Sequence, residues 1–224
     1  MYAEEIFINL FFFYIITGMK NIMNIFVRAF LTGLAIGVGG TVFLSAENKV
    51  AGAFLFGTGL FTILTFGFYL YTGKVGYIVE NKPKYIGEVA LIWLGNFTGT
   101  FVFAKLLLLT RVAGISAKAM ALCEVKMNDS ILSLFVLAIF CGMLMFIAAD
   151  GYKKIPHETG KCLAVFLPVM AFILSGFEHC IANMFYFSLA SAWTLKSFGF
   201  LLVMTLGNAA GGMIIPACRK LMTE

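Results

Sequence analysis

GFYLYTG, at residues 67–73, and GFEHCIAN, at residues 176–183, each interrupt a long apolar segment near its middle. The two segments cover residues 51–79 and 162–195. Both are too long for one straight membrane crossing, which needs about 20 residues. Glycine and polar residues in the middle of such a segment predict a broken helix. We therefore predict two broken helices, which are the second and the fifth membrane segments of the chain.

The rest of the chain is also strongly apolar. Hydrophobic residues make up 61% of the 224 positions, charged residues make up 12%, and the mean hydropathy is +0.97. A soluble domain of this length could not bury so much apolar surface, so the excess must face lipid. The sequence therefore predicts an all-α integral membrane protein. We attribute its net charge of +5 to loop lysines that set orientation, and not to nucleic-acid binding.

Six transmembrane helices are predicted from the apolar runs, near residues 28–46, 51–67, 89–109 and 130–149, from residue 162 onward, and near residues 198–217. The apolar run within residues 1–27 is short for a crossing, which predicts an N-terminal interfacial helix before a transmembrane domain at residues 28–224. Lys and Arg are about twice as frequent on the side that holds both termini. This bias predicts a multi-pass protein of the cell (inner) membrane with cytoplasmic termini.

The two halves of the chain carry matching motifs. GNFTG at residues 95–99 follows the first interruption, and GNAAG at residues 207–211 follows the second at a comparable distance. Because three spans per half is an odd number, the sequence predicts two inverted repeats, at about residues 28–110 and 126–217. Paired broken helices in such repeats predict a permeation site at the membrane midplane, where exposed helix N-termini and N–H groups favour anions. Close helix packing would by itself also explain the glycine spacing.

Three polar residues within the interruptions are candidates for the permeation site. His179 and Glu178 are ionisable groups at membrane depth, where such groups usually face a pore or the interior of a helix bundle. An imidazole of ordinary pKa, about 6.5, could stabilise an anion or protonate it in transit. Thr72 offers a hydroxyl donor in the matching interruption. The alternatives are that Glu178 satisfies backbone groups freed by the break and that Thr72 only caps a helix.

Other residues allow two interpretations. Asn96, Asn183 and Asn208 are either pore donors or interhelical hydrogen-bonding residues. Lys126 either draws anions to an outer mouth or, as its position alone favours, is a solvated loop lysine. Leu60 and Phe172 precede the two breaks by one or two helical turns, where apolar side chains could exclude water.

The sequence gives little support for catalytic or metal chemistry. The five cysteines are scattered without metal-ligand spacing, so we predict no metal site and no cofactor. Ser175 and His179 are four residues apart and could serve as the nucleophile and base of an intramembrane hydrolase. The helix break would disturb that spacing, so this remains a remote alternative and we predict that the protein is not an enzyme.

Residues 175–184, SGFEHCIANM, resemble the signature in the broken fifth helix of the formate/nitrite transporter family. Residues 70–73 are similar to the loop in the broken second helix of that family. The resemblance implies an aquaporin-like protomer within a homopentamer in the lipid membrane. Each protomer would have its own pore for small monovalent anions of weak acids, including formate, nitrite and hydrosulfide.

The resemblance also implies roles for individual residues. His179 and Thr72 would form a central pair between two apolar constrictions, and Glu178 would brace its loop. Leu60 and Leu70 would belong to the cytoplasmic constriction, Phe172 to the constriction toward the other side, and Lys126 to the outer vestibule. The predicted pore positions also include Tyr71, Asn183 and Asn208.

Three positions depart from the family pattern. Tyr69 stands where the first break usually has an acidic residue, Tyr71 where it has Phe, and Gly142 where the fourth helix has Asn. The whole pattern is most similar to the hydrosulfide-channel branch. The resulting prediction is an anion channel that favours hydrosulfide and also takes formate or nitrite. A proton-coupled formate/nitrite symporter is the alternative.

Overall fold

A computed structural model describes the backbone of residues 2–223 and the side chains of residues 18–222. Within these residues the chain is helical, with two short 3-10 helices at Val75–Glu80 and Ala113–Ile115. The α-helices are α1 (Tyr2–Ser45), α2 (Lys49–Thr65), α3 (Tyr71–Lys74), α4 (Lys84–Leu107), α5 (Ser116–Met127), α6 (Ile131–Lys154), α7 (Glu158–Ser175), α8 (Cys180–Leu189) and α9 (Leu195–Thr223).

Five helices of the described residues are long and apolar enough to cross a membrane: Gly18–Ser45, Lys84–Leu107, Ile131–Lys154, Glu158–Ser175 and Leu195–Met222. Two further apolar helices are shorter, α2 with 17 residues and α8 with 10. Both adjoin an interruption, so their shortness follows from the breaks. The prediction of an all-α membrane protein is confirmed, whereas helix length alone supports five of the six predicted spans.

The first helix does not divide at residue 28. α1 runs unbroken from Tyr2 to Ser45, so the predicted boundary at residue 28 lies within one continuous helix. The side chains of residues 1–17, on which the interfacial-helix prediction depends, lie outside the described residues.

Both predicted helix breaks are present and have the same geometry. α2 is followed by Gly67 at φ +66°, and α7 is followed by Gly176 at φ +72°, which is a left-handed conformation that glycine adopts without steric cost. The N–H group after each glycine donates back to a carbonyl five residues earlier, from Phe68 to Ile63 at 2.8 Å and from Phe177 to Phe172 at 2.9 Å. This is the hydrogen bond of a Schellman-type helix end. The glycine therefore fixes the end of each half-helix.

The helices pack as two equivalent sets. α1 packs against α2 and α4 in the first half, and α6 packs against α7 and α9 in the second. The two sets also exchange contacts, because α8 of the second half lies against α4 and the 3-10 helix at Val75–Glu80 lies against α9. Each half therefore completes the packing of the other around the two breaks.

Glycines allow these helix pairs to approach closely. A Cβ atom on Gly99 would collide with the carbonyl oxygen of Phe30, and one on Gly211 would collide with the carbonyl oxygen of Ile139. Gly142 lies directly against the backbone of Asn208. Close packing is thus one real role of the Gly-x-x-x-Gly motifs, and it leaves no room for a larger side chain at position 142.

The two halves have opposite orientations. Arg28 of α1 and Lys153, in the last turn of α6, line the same cavity. From Arg28, α1 continues to its last turn, where Leu44 lines a second cavity together with Lys118 of α5. Because α6 ends at the first cavity and α1 ends at the opposite end of the bundle, the two equivalent helices are antiparallel. We call the end with the first cavity the Lys74 end and the opposite end, which carries α5, the Lys126 end.

Candidate functional site

The two broken helices meet through one hydrogen bond. The Thr72 hydroxyl oxygen lies 2.9 Å from His179 Nε2, and both side chains are buried. Thr72 belongs to α3, directly after the first break, and His179 is the N-cap residue of α8, directly after the second. The structure therefore brings together the two polar residues that the sequence proposed as a pair.

Asn96 holds the first break in position. Its amide nitrogen donates to the carbonyl oxygens of Ala29, at 2.9 Å, and Tyr69, at 2.8 Å. Its amide oxygen accepts the backbone N–H of Tyr71 at 2.9 Å. Both amide hydrogens are used inside the protein, so Asn96 fixes the loop to α1 and α4 and offers no donor to a pore.

Asn208 makes the equivalent three bonds at the second break. It donates to the carbonyl oxygens of Ala138, at 2.7 Å, and Glu178, at 2.8 Å, and accepts the N–H of Cys180 at 2.8 Å. The interhelical interpretation is therefore correct for Asn208, and its assignment as a pore donor is wrong. Two N–H groups at the breaks, those of Tyr71 and Cys180, are therefore bonded to asparagine side chains and do not face an anion.

The hydrogen bonds of His179 define its neutral tautomer. Nδ1 accepts the backbone N–H of Ala182 at 3.0 Å, which caps the first turn of α8. A nitrogen that accepts a hydrogen bond carries no proton, so the proton of the neutral ring is on Nε2 and is donated to Thr72. The Thr72 hydroxyl hydrogen then has no second partner among the described residues. It is available to a bound molecule.

Aromatic side chains pack on the His179 side of this pair. The Phe172 ring stacks on the His179 ring with centroids 5.6 Å apart, and Phe56 packs edge-on against Phe172 at 5.8 Å. Leu60 and Leu70 are also buried. Tyr71 is directed away from the pair, since its hydroxyl donates to the carbonyl oxygen of Thr205 on α9 at 3.1 Å.

Glu178 forms a buried ion pair. Lys126 Nζ lies 2.8 Å from both carboxylate oxygens of Glu178, and Asn183 donates to Oε2 at 2.7 Å. The interpretation of Lys126 as a solvated loop lysine is wrong, because only 13% of its side chain is exposed. Asn183 also contacts Met204 Sδ, so both of its hydrogen bonds stay within the protein and it is not a pore donor.

A cavity of about 460 Å³ opens at the Lys74 end and reaches Leu70. Its basic lining residues are Arg28, Lys74, Lys153 and Lys161. Tyr69 lies between two of them, with the Arg28 guanidinium 5.3 Å and the Lys74 ammonium 4.3 Å from its ring centroid. In the sequence these cations are visible only as part of the excess of basic residues that predicts the orientation of the chain. The departure at Tyr69 was the sequence signal that could have identified the cavity.

The structure does not support the hydrolase alternative. Ser175 ends α7 and is exposed, while both ring nitrogens of His179 are bonded to other residues. No group of three or more His, Cys, Asp or Glu residues that could hold a metal ion occurs among the residues that the structure describes.

The fold and site define a class of protein, a helical membrane transporter or channel built from two inverted repeats with facing broken helices. The formate/nitrite transporter family matches residues 16–222. The nitrite transporter NirC of Escherichia coli (strain K12) is 30% identical over 89% of this chain and 73% of its own length. The chain therefore belongs to the formate/nitrite transporter family, whose members are channels and transporters rather than enzymes.

Two solved structures share the fold. A pentameric formate channel with formate bound matches 91% of this chain and 98% of its own, with a TM-score of 0.77 and 24% identity. An ion channel of the same family matches 92% of both chains, with a TM-score of 0.79 and 23% identity. These likenesses confirm the predicted all-α, aquaporin-like fold class, whereas the count of six transmembrane helices stays a prediction.

Proposed function

We propose that this protein is a membrane channel for small monovalent anions of weak acids, with hydrosulfide preferred and formate or nitrite also accepted. The observation that carries the proposal is the buried Thr72–His179 hydrogen bond between the two breaks. Relatives that are a nitrite transporter and a pentameric formate channel support the class of substrate and a homopentamer. We assign each protomer its own pore. The excess of basic residues at the Lys74 end supports cytoplasmic termini in the cell membrane.

The central pair acts by directing one hydroxyl hydrogen toward the anion. His179 Nε2–H donates to the Thr72 oxygen, which polarises the hydroxyl and leaves its hydrogen for the passing anion. The Phe172 ring stacks on the His179 ring, and we assign the buried side chains of Leu60 and Leu70 to the apolar constrictions beside the pair. A hydrogen bond to a charged group is stronger in apolar surroundings than in water. The pair lowers the free-energy cost of bringing a small anion into the pore, whereas larger or strongly hydrated ions are excluded.

The number of hydrogen-bond donors at the central pair favours hydrosulfide over formate and nitrite. Formate and nitrite each carry two oxygens that seek donors, whereas hydrosulfide has one weakly hydrated sulfur. The described site offers one hydroxyl hydrogen, and the N–H groups of Cys180 and Ala182 are occupied by Asn208 and His179. The Phe172 ring adds a polarisable surface suited to sulfur. These features suit a single-atom acceptor better than a two-oxygen one.

The tautomer of His179 favours a channel over a proton-coupled symporter. Donation of the Nε2 proton from the neutral ring would leave an imidazolate, because Nδ1 carries no proton. A cationic ring would instead turn an Nδ1–H toward the N–H of Ala182. In this conformation His179 therefore acts as a hydrogen-bond donor, and a proton that neutralises the anion comes from water.

An anion panel on reconstituted protein tests the proposal. Proteoliposomes are assayed for influx of hydrosulfide, formate, nitrite and chloride at several pH values, with empty liposomes as the control. We expect the fastest flux for hydrosulfide, slower flux for formate and nitrite, and little for chloride. Flux equal to that of empty liposomes for all four anions would overturn the proposal. Accumulation of formate against its gradient, driven by a pH difference, would favour the symporter.

A further inference from the structure

The cavity at the Lys74 end carries more positive charge than its neighbours neutralise. Arg28, Lys74 and Lys153 line it, and no carboxylate lies within ion-pair distance of any of them among residues 18–222. Lys161 is the exception, because it pairs with Glu158 at 2.7 Å. Glu88 attracts Lys74 from α4, while Arg28 and Lys153 repel it. Asp150 and Glu80 attract Lys153 without reaching ion-pair distance, and Asp150 is already paired with Lys154 and Arg219. Three like charges around one cavity are destabilising unless an anion joins them.

The inverted repeat gives a reason for this imbalance. Tyr69 and Glu178 occupy equivalent positions, since the carbonyl oxygen of each accepts from the matching asparagine, Asn96 or Asn208. In the second half the Glu178 carboxylate neutralises Lys126. In the first half Tyr69 provides an aromatic ring in place of a carboxylate. The cations around it are held by cation–π contacts and have no ion-pair partner among residues 18–222.

The volume of the cavity and its lining residues indicate which anions it can bind. About 460 Å³ is far larger than a three-atom anion requires. The Arg28 guanidinium donates one bond to the carbonyl oxygen of Gly67 at 3.1 Å and has further N–H groups that suit an oxyanion. Leu70, at the inner limit of the cavity, is apolar and buried. A multiply charged anion would lose too much hydration to pass it, since the cost of desolvation rises with the square of the charge.

We propose that this cavity is a docking site for a multivalent oxyanion of the sulfate or phosphate type, which binds at Arg28 and Lys74, does not permeate, and slows anion flux from that side. The effect on flux rests on the proposed channel function, whereas the binding does not. Sulfate bound there would obstruct the path between the cavity and Leu70 and would reduce the local attraction for permeant anions.

Binding is tested first, by isothermal titration calorimetry of sodium sulfate into purified protein in a neutral detergent. We expect the Kd to rise about tenfold in Arg28→Gln and in Lys74→Gln, since each loses a charged donor. Tyr69→Glu, which supplies the carboxylate found in the other half, should weaken binding at least as much. Lys118→Gln, on α5 at the opposite end, is the matched control and should bind as the wild type does. Absence of sulfate binding, or equal binding by all variants, would overturn the docking site.

Sidedness is tested next, in planar bilayers of neutral lipid. Sulfate replaces a monovalent impermeant anion at constant ionic strength on one side at a time, while formate or hydrosulfide current is recorded. We expect inhibition from one side only and its loss in Arg28→Gln. Equal inhibition from both sides would contradict the proposal. If phosphatidylglycerol in the bilayer abolishes both binding and inhibition by sulfate, the site takes a lipid headgroup and a soluble oxyanion is excluded. Absence of any current together with retained sulfate binding would overturn the channel function alone.

Discussion

At the scale of single residues, His179 combines two tasks in one ring. Nδ1 caps α8 by accepting from Ala182, and Nε2 bonds Thr72 across the break. The first task is structural and the second defines the candidate permeation site. Since the two tasks use different nitrogens, substitutions can separate them.

The variant His179→Asn should keep the helix cap at Ala182 and lose the hydrogen bond to Thr72. Asparagine is a favoured N-cap residue whose oxygen can accept the Ala182 N–H, but its side chain is too short to reach Thr72. We expect thermal stability in detergent close to that of the wild type and anion flux reduced at least tenfold. His179→Ala should lose flux and, in addition, about 1–2 kcal/mol of stability through the missing cap. Wild-type flux in His179→Asn would show that the Nε2 bond is not needed.

The ion pair between Lys126 and Glu178 permits a second prediction at this scale. Glu178→Gln leaves a mostly buried ammonium without its counter-charge, which typically costs about 3–5 kcal/mol. Adding Lys126→Met removes that orphan charge, so the double variant should recover at least half of the lost stability. The measurement is the thermal melting point of the two single variants and the double variant. A double variant as unstable as the sum of both single variants would mean that the pair is not coupled.

At the scale of elements, the broken helices could be predicted from sequence because two independent signals coincide. Each apolar run was too long for one crossing, and each carried a glycine at its interruption, which the structure confirms at Gly67 and Gly176. The roles of the asparagines could not be predicted, because an amide both donates and accepts and only geometry decides between pore and loop. The contacts of Asn208 with Ala138, Glu178 and Cys180 join residues up to 70 positions apart in the chain.

Two glycines of α9 should respond differently to the same substitution. Gly211→Ala would drive a methyl group into the carbonyl oxygen of Ile139 on α6, whereas Gly199 has nothing within 4 Å of an added Cβ. We expect Gly211→Ala to lower the melting point markedly and Gly199→Ala to leave it unchanged or raise it slightly, because alanine is the better helix former by about 1 kcal/mol. Equal melting points for the two variants would contradict the close packing of α6 and α9.

At the scale of the whole molecule, the two ends differ in charge although the halves share one architecture. The Lys74 end keeps uncompensated cations, and the Lys126 end has its central lysine neutralised by Glu178. The sequence indicated the excess of basic residues on that side but not the cavity, since residues from α1, α2, the first break, α3, α6 and α7 form it together. The Asp150 carboxylate stabilises this end by accepting hydrogen bonds from Arg219 of α9, at 2.6 Å, and from the Tyr77 hydroxyl, at 3.1 Å.

This charge asymmetry leads to a prediction about orientation. The C-terminal helix ends at the Lys74 end, where basic residues favour the cytoplasmic side. A protease site and tag added after residue 224 should be resistant to protease in intact spheroplasts and cleaved after permeabilisation. A site introduced in the loop at residues 108–115, at the Lys126 end, is the matched control and should be cleaved without permeabilisation. The opposite pattern would reverse the proposed sidedness.

The most direct measurement for the central claim is hydrosulfide flux through Thr72→Val in proteoliposomes. Valine keeps the shape of threonine and removes the hydroxyl that the account assigns to the passing anion, and a hydrogen bond to a charged group is worth about 1.5–3 kcal/mol. Thr98→Val is the control, because the Thr98 hydroxyl donates only to its own helix, at Leu94. We expect flux to fall about 10- to 100-fold in Thr72→Val and to remain at the wild-type level in Thr98→Val. Wild-type flux in a correctly folded Thr72→Val would contradict the role given to the central pair.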